Sequence, residues 1–263
     1  MMKVSGWSLI RFYTILVYVF MFAPIAVVIV LSFNPQQFGC FPMEGFSLRW
    51  FFKLAHNEPI LTAFKNSLIL GSLTAIFSTT IGILAAMAFV RYDFPGKNTL
   101  NTLLLTPIMI PEVILGVALL LFIRWLQQPK TFALLVIGHV VLTLPYVLLI
   151  VQARLGGIKR EYEEAAQSLG ANSFQTFIEV TLPLLTPAIL AGMLFSFTIS
   201  FDDITATLFW ATAQSQTVPV KIFGMLRNSI SPEINALGTV MIILTIGTPL
   251  LAGYLSRKFT KGH

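Results

Sequence analysis

Six stretches of more than 20 residues dominate this 263-residue sequence, and five of them contain no Asp, Glu, Lys or Arg. They are Phe12–Met43, Asn66–Val90, Asn98–Ile123, Thr131–Ala153, Val180–Phe201 and Ile234–Ser256, with Glu112 interrupting the third. A bilayer core about 30 Å thick takes roughly 20 apolar residues in helix, so each stretch is long enough to cross once with some tilt. The chain is 56% hydrophobic and 11% charged, and a soluble domain carries about 25% charged residues. Too few charges are left to coat a water-facing surface. The expected fold class is an all-α membrane protein with six transmembrane helices, one transmembrane domain over residues 1–263. Barrel strands would instead alternate polar and apolar residues over about 10 positions.

Other classes fall away on particular residues. Lys3 and Arg11 precede the first apolar run as they would in a signal peptide. That run, from Phe12 to about Phe33, exceeds the 7–15 residues of a signal core and lacks a small-x-small cleavage pattern, so it reads as an uncleaved anchor. Residues 204–220 are uncharged too, but Ala-Gln-Ser-Gln-Thr at 213–217 and Pro219 argue against a seventh span. The single cysteine, Cys40, excludes a disulfide framework or a Cys-based zinc site within one chain. The net charge of +6 is spread thinly, without the dense basic stripe that nucleic acid requires. Its signs suggest orientation instead. With the N-terminus inside, Lys3, Arg11, Arg91, Lys97, Arg154, Lys159, Arg160, Arg257, Lys258 and Lys261 are cytoplasmic, ten of the 17 basic residues. Both termini are therefore expected in the cytoplasm.

The cytoplasmic stretch 154–183, RLGGIKREYEEAAQSLGANSFQTFIEVTLP, does not belong to lipid. Glu161–Leu169 favours helix, Gly170 suits the positive φ that ends one, and Asn172 or Ser173 can cap another. The second helix would place Phe174, Phe177, Ile178 and Thr181 on one face. The expected product is two short helices at a sharp angle, with Ala165 and Ala166 inside and Glu161, Glu163 and Glu164 outside. Such a knob fits a groove on another protein. A hairpin lying on the lipid surface is the alternative, but the four acids of the loop would be repelled by an anionic leaflet.

At these residues the sequence resembles the permease subunits of bacterial ATP-driven (ABC) importers. The family signature is Glu-Ala-Ala, three residues, Gly, nine residues, an aliphatic residue, one residue, then Leu-Pro. Here it stands as Glu164-Ala165-Ala166, Gly170, Val180 and Leu182-Pro183, with Val where Ile is usual. The resemblance implies the type I (MetI-like) permease fold and makes 154–183 the coupling loop that docks on a partner ATPase dimer. ATP and Mg2+ would be bound by that partner, and this chain has no G-x-x-x-x-G-K-[ST] motif. Further similarity, to the polyamine (spermidine/putrescine) branch, runs through Leu31–Asn34, Phe195–Asp203, Val218–Ile222 and Ser231–Leu237. It implies a second, homologous permease as heterodimeric partner and an extracytoplasmic polyamine-binding protein, in the cell inner membrane.

The acids at depth suggest the cargo. A carboxylate at the bilayer centre costs on the order of 3 kcal/mol, so it normally faces a cavity or a partner. Glu112 lies midway along the third stretch, just after Pro111 and one turn after Pro107, on a helix that these prolines open and bend. In the polyamine branch an acid, commonly Asp, follows the matching proline. Glu112 thus reads either as an acid on a cation pathway or as a protonated carboxyl hydrogen-bonded to a neighbouring helix. Asp202 and Asp203 close the fifth stretch, about 27 Å from Leu184 at 1.5 Å per residue and so near the outer mouth. Only one of them can face a pore squarely, and the other would cap or bind a loop. Phe201, Phe209 and Trp210 beside them suit an ammonium group, or are interfacial anchors. The candidate substrate pathway is therefore Glu112, Asp202, Asp203, Phe201 and Trp210. His139 has no companion at metal-ligand spacing and reads as a hydrogen-bonded structural residue. No serine has a positioned base, His56 and His263 lie in a loop and the tail, and neither intrinsic catalysis nor a cofactor in this chain is expected.

A permease for iron, thiamine or an anion stays open beside the polyamine reading, although an anion path should present basic groups. A self-sufficient secondary transporter with Glu112 as its proton site is a third reading. It leaves the Glu164–Pro183 spacing as coincidence.

Overall fold

A computed structural model describes residues 6–37, 42–228 and 232–260. Lys3, Cys40, Ser231, Lys261 and His263, named above, lie outside them. The described residues form helices and no strands, and they fall into two compact units, 1–61 with 222–244 and 62–221 with 245–263.

In the first unit, α1 (Gly6–Leu31) is long and apolar enough to span a bilayer, and its outward-facing Phe12, Phe20 and Phe22 suit contact with lipid. It ends where Ser32 folds back, its N–H donating to Val28 O at 3.0 Å and its hydroxyl to Ile29 O at 2.6 Å. The Leu31–Asn34 segment is a turn that anchors the short α2 (Arg49–Ala55). Trp50 Nε1 donates to Asn34 O at 2.7 Å, and Ser47 N–H donates to Phe33 O at 2.8 Å. Lys53 on α2 forms an ion pair with Glu233, the first residue of α12 (Glu233–Thr260).

The second unit is organised around α6 (Phe132–Gly156), whose buried side appears as a run from Leu135 to Leu155. It lies against α3 (Glu58–Arg91) and α9 (Leu182–Asp202). A side chain at Gly82 of α3 would come within 2.7 Å of Val147 Cγ1, so the absence of a Cβ sets how near these two helices lie. Two apolar clusters share α6. Leu70, Leu115, Leu135, Leu142, Ala206 and Trp210 pack at its beginning, and Ala86, Val147, Val151, Leu155 and Leu185 pack toward its end.

The third apolar stretch is broken rather than bent. α4 (Lys97–Met109) stops at Ile110, which is extended, and α5 (Glu112–Trp125) restarts after Pro111 at 111° to it. The two halves still travel the length of α6, since Asn101 of α4 accepts from Gln152 near its end while Leu115 of α5 packs near its start. Pro111 cannot donate a backbone hydrogen bond, and it pushes Ile110 out of helical geometry. Glu112 is consequently the first residue of a helix, not a point midway along one. An acid in that first turn also complements the helix dipole. Among the described residues five helices are long and apolar enough to span, six if the broken pair is counted as one span.

The segment after the fifth span is partly helical. α10 (Thr205–Trp210) and α11 (Val218–Asn228) are too short to cross a bilayer. The chain between them is tied to α3, with Asn66 Nδ2 donating to Gln214 O and Gln216 O at 2.9 and 3.0 Å and Val218 N–H donating to Ser67 Oγ at 2.9 Å.

Candidate functional site

The five pathway residues separate into buried and exposed groups. Asp203 is 8% exposed and lies just past the end of α9, where it restarts the chain as α10. Its carboxylate accepts from Ala206 N–H at 3.3 Å, Thr207 N–H at 2.7 Å and the Thr207 hydroxyl at 2.6 Å. Of the two adjacent aspartates, then, Asp203 is the cap. Asp202 is exposed and accepts from Thr245 Oγ1 at 3.0 Å. Thr245 belongs to the middle of α12.

Phe201 is 1% exposed and stacks on Phe197 with centroids 5.4 Å apart, while Trp210 is 3% exposed. Neither is an interfacial anchor in this chain, and neither presents an open ring face. Trp210 instead locks α10 to two neighbours. Its Nε1 donates to Gly116 O at 2.8 Å, and its ring fills the space beside Gly138, where a Cβ would come within 2.4 Å of it. Glu112, one turn before Gly116, is exposed, and no hydrogen bond from another described residue reaches it.

Behind these residues lies a polar ladder built from side chains of α3, α6, α9 and α10. The Thr207 hydroxyl donates to Asp203, and His139 Nε2 lies 3.0 Å from the same hydroxyl oxygen. His139 Nδ1 lies 2.8 Å from Ser200 Oγ, whose hydroxyl donates to Thr74 Oγ1 at 3.3 Å. One turn along α6, the Thr143 hydroxyl donates to His139 O at 2.9 Å and therefore accepts from Ser78 at 2.6 Å. His139 is fully buried within this ladder, as a structural histidine would be. Polar residues paired at i, i+4 inside apolar spans carry the signal: Thr74 with Ser78, His139 with Thr143 and Ser196 with Ser200.

The second candidate region is the loop after α6. α7 (Glu161–Ser168) ends in a turn completed by Gly170 at φ +97°, and Asn172 begins α8 (Ser173–Thr176) with a reciprocal capping box to Gln175. Residues Phe177–Thr181 then form a π-helical turn that runs directly into α9. The wider i→i+5 turn breaks the expected register, so Phe174, Phe177, Ile178 and Thr181 do not share a face. Phe174 and Ile178 are exposed, Phe177 is half-buried, and Thr181 is 1% exposed.

The loop does not bury the alanines or expose the glutamate that its pattern suggests. Ala165 is exposed and Ala166 only half-buried, whereas Glu163, placed outside by pattern, turns inward to Arg91 Nε at 3.0 Å. An ion pair across 72 residues outweighs the local preference of an acid for water. Glu164 is exposed, beside Arg160 at 3.8 Å. Leu182 and Pro183 open α9, the proline within its first turn, where no backbone donor is required.

Residues 78–261 match a family model described as the binding-protein-dependent transport system inner membrane component. The chain is 34% identical over 247 residues to the spermidine/putrescine transport system permease protein PotC of Escherichia coli (strain K12), covering 94% of this chain and 93% of that one. It is 31% identical over 264 residues to the putrescine transport system permease protein PotI of the same strain, covering 98% and 93%. Its fold is similar to that in the crystal structure of a bacterial ABC transporter involved in the import of the acidic polysaccharide alginate, with a TM-score of 0.78, 17% identity, and coverage of 97% and 96%. The match over most of the chain, together with the helical architecture, settles the family: this protein belongs to the inner-membrane permease components of binding-protein-dependent ABC importers.

Proposed function

We propose that this permease carries polyamines, forming half of a translocation pathway in which Glu112 and Asp202 face the passing cation. The observation that carries the proposal is that both carboxylates are exposed within spanning segments and neither pairs with a Lys or Arg among the described residues. An ammonium group needs such acceptors, and an anion would be repelled by them. Identity to a spermidine/putrescine permease across 94% of the chain supports the same cargo. Asp203, Phe201, Trp210 and the His139 ladder serve as the packed wall behind the pathway. They hold the end of α9 and the start of α5 in place.

The loop 154–183 docks on an ATPase dimer that binds ATP and Mg2+, with exposed Glu164, Leu169 and Phe174 as its contact surface. A second, homologous permease completes the pathway, an extracytoplasmic polyamine-binding protein delivers the cargo, and both termini are cytoplasmic. Uptake of labelled spermidine and putrescine by cells whose own transporters are deleted tests the cargo assignment. Glu112→Gln should lower uptake of the longer spermidine more than that of putrescine. Equal rates in variant and unsubstituted protein would return Glu112 to a structural role.

A further inference from the structure

Two adjacent glutamates in the loop face opposite ways. The Glu164 side chain is 64% exposed and that of Glu163 only 12%. Arg91 Nε donates to the Glu163 carboxylate, 3.0 Å from one oxygen and 3.1 Å from the other, and the Thr181 hydroxyl donates to it at 3.0 Å. The second arm of Arg91 donates to Ile158 O at 3.1 Å. One carboxylate therefore joins the last residue of α3, the first turn of α7 and the last residue of the π turn that opens α9.

A polar cavity and an unusual turn flank this junction. A cavity of about 300 Å³ lies beside it, with Met87, Arg91, Glu163, Ser173 and Phe177 in its walls. Met87, Phe89 and Val90 at the end of α3 pack on the apolar cluster of Leu155, Ile158 and Leu185, and the clamp adds a polar tie from α3 to α7 and the π turn. The π turn adds a second element. Leu182 N–H donates to Phe177 O across a wide ring, a geometry that is rare and concentrates at functional positions. The clamp grips the end of that turn.

We propose that Glu163 is a positioning residue that carries movement of the docked loop into α3 and α9 together, leaving Glu164 to meet the ATPase. This rests on the reading of 154–183 as the coupling loop. If α3 and α9 are released from the loop, a docked ATPase no longer senses the state of the spans and hydrolyses ATP without waiting for them.

The test uses the complete detergent-purified transporter with its ATPase subunits, comparing ATPase co-purification and basal ATP hydrolysis without binding protein or cargo. Glu163→Gln removes the charge of the clamp, and Thr181→Val removes one donor while keeping the side-chain shape. Both should retain the ATPase and raise basal hydrolysis about fivefold, the effect expected of about one lost hydrogen bond. Thr181→Ser, which keeps the hydroxyl, should return hydrolysis to the unsubstituted rate. Unchanged basal hydrolysis in both variants, or loss of the ATPase from either complex, overturns the proposal. Glu164→Gln tests the underlying reading separately, because it should reduce ATPase co-purification. Undiminished co-purification there rejects Glu164 as a docking contact and leaves the result for Glu163 to stand or fall on hydrolysis.

Discussion

Asp202 and Asp203 are chemically identical neighbours, yet the fold gives them different work. Asp203 satisfies backbone donors at the start of α10 and a hydroxyl from the same turn. Losing a helix-capping side chain costs about 0.5–2 kcal/mol, so Asp203→Ala should lower the melting temperature of the purified protein. Asp202→Asn should leave melting within error and reduce polyamine uptake. Trp210 and Gly138 make a second residue-scale case. A methyl group at position 138 meets the indole ring at 2.4 Å, and overpacking of this kind costs about 1–3 kcal/mol. Gly138→Ala should destabilise the protein by that amount in a thermal melt, with Trp210 fluorescence reporting the displaced ring.

Among the elements, the loop of α7, α8 and the π turn concentrates special geometry in a short span. Gly170 at φ +97° adopts a conformation that costs other residues about 1–2 kcal/mol, and loss of the Asn172 cap costs about 1 kcal/mol. Gly170→Ala and Asn172→Ala should leave the chain inserted, since neither lies in a span, and reduce its co-purification with the ATPase. Retention of the ATPase by both variants would show that the shape of the loop is not what the partner reads. Much of this element was legible in the sequence, because few residues other than glycine take a positive φ readily and Asn is a favoured helix N-cap. The inward turn of Glu163 was not. Nothing local distinguishes it from Glu161 or Glu164, and its partner Arg91 arrives from another helix. The break at Ile110–Pro111 was legible as a bend, but its 111° angle depends on how α5 packs against α10 through Gly116 and Trp210.

At the scale of the whole molecule, the spans could be read from the absence of charge because lipid imposes that rule on every crossing helix. The polar ladder through Thr74, His139 and Ser200 shows what that rule leaves out. Spacing reveals which polar residues share a face, but only packing decides which faces meet. The proposed roles of Glu112, Asp202, the clamp and the 154–183 loop meet in the assembled transporter. The most direct measurement is ATP-dependent uptake of labelled spermidine into proteoliposomes holding this chain, its partner permease and the ATPase, with the binding protein added. Uptake that requires both ATP and binding protein, and that falls when Glu112→Gln or Asp202→Asn is introduced, is the predicted result. Spermidine uptake by this chain without the ATPase, or no spermidine uptake by a complex that imports an anion, would contradict it.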